Sequence, residues 1–155
     1  MKHQDPKEIV GKAQAVPSIE GLVRMSRRDR LERWAEALAQ YGGSLNALRQ
    51  IEYLRPAERR AYRGENTPLT VAFQDPVLRE EGLKGETLGE VMDFFELTET
   101  DAHNLFCDCH YHGTMTGTGL SARLRSFARR RASDRTGIWQ AAVNFLFGRS
   151  RPAAG

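Results

Sequence analysis

The chain reads as an all-α protein, a compact bundle of about six or seven short helices. Three observations carry that expectation. Apolar residues recur at helical spacing in several separate stretches, Ser or Thr precedes most of those stretches, and only one short segment alternates as a strand would. A lone strand is not a stable structure, so that segment (residues 67–75) is expected to lie extended on the helices.

Residues 1–24 are polar, carry Pro6 and Pro17 and show no sustained periodicity, so they read as a mobile tail. Met25 stands directly before the first ordered pattern, and the first 24 residues could be an extension upstream of the natural start. From Ser26 a helix is strongly signalled. Leu31, Trp34, Ala35, Leu38 and Tyr41 share one face, and Gly42-Gly43 ends it. Ser44 is then expected to cap a second helix bearing Leu45, Leu48 and Ile51, the two forming an antiparallel hairpin. Pro56 begins a short helix to Tyr62. In the extended segment Leu69, Val71 and Phe73 alternate between Pro68 and Pro76, and Pro76 to Glu81 forms another short helix stopped by Gly82.

Thr87 caps the clearest helix, in which Leu88, Val91, Met92 and Phe95 keep the apolar spacing. Leu97-Thr98 breaks it. Thr98 starts a further helix with an acidic first turn, expected to run to about residue 111. Gly113 to Gly119 reads as a loop, after which Ser121 caps a basic helix with Leu120, Leu124 and Phe127 inward. A last helix at 136–148, apolar nearly all round, is either central to the core or a contact with a second copy of the chain. Residues 25–148 are thus expected to form one domain, with 149–155 as a mobile C-terminal tail.

At 155 residues, 40% hydrophobic and 28% charged, the chain is long enough to bury a core without disulfides or metals. No apolar run reaches the length of a membrane span, and no secretory signal is visible at the N-terminus. Two cysteines at i, i+2 make a poor disulfide framework and suit a reducing compartment, so a cytoplasmic location is expected. The net charge of +3 conceals an acidic stretch over 64–101 between two basic ones. That pattern either neutralises itself within the fold or leaves a basic face for nucleic acid or an acidic protein. Arg125, Arg129, Arg130 and Arg131 would carry such a face.

Chemistry concentrates in one place. The segment from His103 to His112 holds both cysteines and three of the four histidines. On a helix continuing to residue 111, Cys109 joins the core stripe, while His103, Cys107 and His110 form a partly exposed column. Two imidazoles and a thiolate suit zinc or another transition metal, with His112, Cys109 or water as the fourth ligand. Two other roles compete. Cys107 could act as a thiol nucleophile in a Cys/His-dependent enzyme, although a helix C-terminus raises rather than lowers a thiol pKa. Or the cysteines simply pack while the histidines cap helical carbonyls. A separate anion site is conceivable at Thr118, Gly119, Ser121 and Arg123, where glycines open a helix N-terminus. The reading is therefore a small binding protein with a transition-metal or thiol/imidazole site. The alternative is a regulatory or interaction protein acting through its basic C-terminal helix.

Overall fold

The structure, a computed structural model, describes residues 24–130. These are mostly helical, with a two-stranded sheet as the only sheet among them. In chain order the elements are α1 (Arg27–Gln40), β1 (Ser44–Asn46), a 3₁₀ turn (Ile51–Tyr53), α2 (Pro56–Arg60), α3 (Pro68–Gln74), α4 (Pro76–Glu80), α5 (Leu88–Phe95), α6 (Glu99–Phe106), a second 3₁₀ turn (Asp108–His110) and β2 (Thr114–Thr116). A helix over residues 117–130, here α7, follows β2 without a break. The expected tails at 1–24 and 149–155, apart from residue 24, lie outside the described residues, as do the 136–148 helix and Arg131.

Most helix starts follow one local rule. Ser26, Thr67, Thr87 and Thr98 each accept a hydrogen bond from the backbone N–H three residues on, and that residue's side chain accepts from the cap's own N–H. Each such box satisfies two amides that the first helical turn leaves open. The helices then bury their apolar faces around Trp34. Its ring stacks on Phe95 at 4.4 Å between centroids and meets Phe106 at 5.3 Å, while its indole N–H donates to the Pro68 carbonyl at 3.1 Å. One side chain thus ties α1 to α3, α5 and α6.

Four expectations from the sequence are corrected. The segment 67–75 is not extended: residues 68–74 are α3. Pro68 fits the first helical turn, Thr67 and Thr70 form the capping box, and Pro68, Val71 and Ala72 fall at i, i+3, i+4 on the buried face with Leu69 beside them. The alternation of Leu69, Val71 and Phe73 coexists with that helical spacing, and the Thr67 cap with Pro68 in the first turn decides for the helix.

Residues after Ser44 do not form a second helix. Leu45 pairs with Met115 across the β1–β2 sheet, which joins segments about seventy residues apart in sequence. Leu45, Leu48 and Ile51 are buried all the same, so their spacing marks core positions without marking a helix. The helix after Thr98 stops at Phe106, not near 111, because Cys107 turns extended (ψ 137°) to meet residue 48. The Leu48 N–H donates to the Phe106 carbonyl at 2.8 Å and the Asp108 N–H to the Leu48 carbonyl at 3.0 Å.

Finally, residues 113–119 are not a free loop. They supply β2 and the start of α7, and the Thr116 hydroxyl, not Ser121, accepts the N–H of Gly119. Ser121 sits buried within the helix.

Candidate metal centre

The turn that follows α6 divides the two cysteines by environment. Cys107 is fully buried, and Cys109, two residues later, is exposed. This reverses the helical expectation, in which Cys109 was core and Cys107 stood in the open column. The backbone accounts for it. Cys107 leaves the helix at the bridge to Leu48, the Asp108–His110 turn closes with the His110 N–H on the Cys107 carbonyl at 3.2 Å, and the chain reverses through His112 at a left-handed φ of 51°. Residues 103 and 109–110 are thereby brought to one side, outside the bridge.

Two groups of possible ligand atoms result. In the first, one ligand atom from each of His103, Cys109 and His110 lies within 4.8 Å of the others. The Cys109 sulfur is 3.7 Å from Nε2 of His103, and the two imidazoles meet edge to face with centroids 5.2 Å apart. Metal–nitrogen bonds of about 2.0 Å and metal–sulfur bonds of about 2.3 Å at a tetrahedral angle place N and S roughly 3.5 Å apart. The observed sulfur–nitrogen distance is close to that edge. His103 stands half-buried on the last turn of α6 while Cys109 and His110 are exposed, so the side from which an ion would arrive is open.

The second group is Glu52, Cys107 and Asp108, again within 4.8 Å. Its sulfur is a donor rather than a ligand. The Cys107 thiol donates to Oε2 of Glu52 at 3.1 Å, with Oδ1 of Asp108 at 3.6 Å. Burial first, then the contact with Cys109 and the adjoining Glu52 carboxylate, push this thiol well above the ordinary range. It holds its proton at neutral pH, the opposite of an activated nucleophile or a ready metal ligand.

No protein-family model, curated protein or solved structure matches this chain. The site's chemistry therefore rests on its own residues.

Of the five residues singled out as metal ligands, His103, Cys109 and His110 come together. Cys107 belongs to the carboxylate group, and His112 enters neither group. Glu52, which sets the state of Cys107, escaped the sequence reading, since only the pairing of residue 48 with residues 106–108 brings it across 55 positions.

The arginine and helix-start expectations meet competing contacts. The amide of Gly119 is taken by Thr116, Ser121 is buried, and Arg123 donates to the Asn104 carbonyl at 2.8 Å while lying 4.7 Å over the Tyr111 ring. Thr118 is exposed. Arg125 pairs with Glu32 at 3.0 Å and Arg129 donates to the Arg125 carbonyl at 3.3 Å. No helix among the described residues is long and apolar enough to cross a membrane.

Proposed function

We propose that the chain is a small metal-binding protein that takes a zinc-type transition-metal ion on His103, Cys109 and His110. The observation that carries this reading is the convergence of two imidazole nitrogens and one exposed sulfur within 4.8 Å, with a sulfur–nitrogen distance of 3.7 Å. Nitrogen and thiolate ligands suit zinc and copper and discriminate against calcium and magnesium, which prefer oxygen. Three protein ligands leave a fourth position for water or an exchangeable ligand, as in open zinc sites rather than closed structural ones. Rotation of the exposed Cys109 and His110 side chains closes the remaining distance to the ion.

Metal content by plasma mass spectrometry, on full chain purified without an affinity tag or chelator, tests this directly. One equivalent per chain is expected, lost in His103→Ala and in Cys109→Ser with helix content unchanged. Retention of the full equivalent in the His103→Ala/Cys109→Ser double variant would sink the reading.

A further inference from the structure

A groove of about 470 Å³ opens beside His110, between α6 and α7. Its volume lies within the range of small-molecule sites. Arg123, Phe127 and Arg130 line it from α7 at i, i+4, i+7, the spacing that puts three side chains on one face of a helix. Asp101 and Leu105 line it from α6, also four residues apart. His110 closes one end, so a single residue belongs both to this groove and to the proposed metal centre.

The walls are held in place. Arg123 is fixed by the Asn104 carbonyl at 2.8 Å and by the Tyr111 ring beneath it, and Tyr111 is fixed in turn by its hydroxyl, which donates to the Leu105 carbonyl at 2.7 Å. Phe127 is backed by the guanidinium of Arg27 at 5.4 Å. A guanidinium so anchored loses little freedom when it meets a ligand, which is how a preorganised site gains affinity.

We infer that this groove binds a small planar monocarboxylate, its body along Leu105 and Phe127 and its carboxylate between Arg123 and Arg130. The inference rests on the groove alone, and His110 is the one residue it shares with the proposed metal centre. The class follows from the charges. Two guanidiniums and one carboxylate, that of Asp101, line the groove, a balance of one positive charge that favours a single negative charge and disfavours a phosphate dianion. Leu105 and Phe127 form an apolar strip in an otherwise polar lining, and that strip adds preference for a flat hydrocarbon body over a bare anion.

Calorimetric titration of the full metal-free chain with benzoate, and separately with inorganic phosphate, tests it. The expectation is that benzoate binds more tightly than phosphate, and about tenfold more weakly to Arg130→Gln than to the unaltered chain. Zinc stoichiometry in Arg130→Gln should stay at one. Zinc binding with no benzoate uptake, or with uptake indifferent to Arg130→Gln, would overturn the groove while leaving the metal centre standing. Arg130-dependent benzoate uptake by a chain that takes no zinc would overturn the metal centre and leave the groove standing. Phosphate binding more tightly than benzoate would overturn the ligand class.

Discussion

Two regions meet at the end of α6 and are held by different means. On one side is the Trp34 wedge, where α1, α3, α5 and α6 interlock through buried rings. On the other is the connection from Cys107 to Gly117, which buries few large side chains and is placed by backbone hydrogen bonds to residues 44–48 and by a close approach to α1. The wedge gets its stability from apolar area. The connection gets its shape from which amides and carbonyls are satisfied, and so it can carry exposed thiol and imidazole groups that a core could not hold.

The wedge should therefore show the larger single-residue effect. Trp34→Ala removes the ring that touches Phe95 and Phe106 and leaves the Pro68 carbonyl without its donor. A loss of about 3–5 kcal/mol is expected, enough to leave a marginal domain partly unfolded, measured as the denaturant midpoint at unchanged slope. A loss below about 1 kcal/mol would mean that the wedge is not where the stability resides.

The connection breaks through backbone geometry instead. A methyl group on Gly117 would lie 2.2 Å from the carbonyl oxygen of Leu38, an atom of α1's own backbone that cannot rotate away. Gly117→Ala should cost about 1–3 kcal/mol by forcing α7 off α1, although alanine is the better helix former. Gly113→Ala is a useful contrast. No atom stands within 4 Å of its Cβ position, yet its φ of 92° strains any L side chain, so the penalty there is conformational rather than steric.

These contrasts bear on what a sequence discloses. Three of the wedge's four helices, α1, α5 and α6, were legible because their signals are local: apolar residues at i, i+3, i+4, a Ser or Thr cap before them, and the cap's partner three residues on. Leu45, Leu48 and Ile51 were read as one side of a helix; they are buried but not on one helix, because three residues cannot distinguish a helical face from a strand followed by a 3₁₀ turn. Their partners, Met115 and the 106–108 backbone, lie about sixty or seventy positions away. The candidate site shows the same division. Its cluster of thiols and imidazoles stood out by composition, but the exchange of Cys107 and Cys109 between exterior and core depends on the bridge to Leu48, which has no local signature. Pro68 misled in another way, since beside a β-like alternation it suggested a boundary, whereas after Thr67 it occupies the first helical turn.

The two thiols give the sharpest test of that bridge. In the native chain an alkylating reagent should modify one thiol, Cys109, and reach Cys107 only on unfolding. Stability should also depend on pH in a fixed direction. The unfolded thiol loses its proton near pH 8.5, whereas native Cys107 keeps it to much higher pH. From that point upward the native state binds more protons than the unfolded state, so stability declines as pH rises, by up to about 1.4 kcal/mol per pH unit for one group. Tyr111, pushed up chiefly by burial against the opposing pull of Arg123, adds a decline of the same sign at higher pH. Cys107→Ala should flatten the stability curve just above pH 8.5 and leave the tyrosine part. An unchanged slope would show that Cys107 is not buried against Glu52.

The smallest effect concerns α6, the helix that joins the two regions, at its start. Thr98 accepts from the Asp101 N–H at 3.1 Å, and the Asp101 carboxylate accepts from the Thr98 N–H at 2.9 Å, which fixes where α6 begins. Because helical residues are spaced rigidly, that start also sets the direction in which His103, five residues on, leaves the helix. Thr98→Ala should cost about 1 kcal/mol by freeing one amide of the first turn. If the position of His103 were set by the cap alone, zinc stoichiometry would fall with stability. Ala102 and Phe106 bury the other face of α6 on either side of His103 and hold its register without the cap, so the metal equivalent should persist in folded Thr98→Ala. A variant that stays folded yet loses metal would place the site's control in the cap rather than in the packed face of the helix.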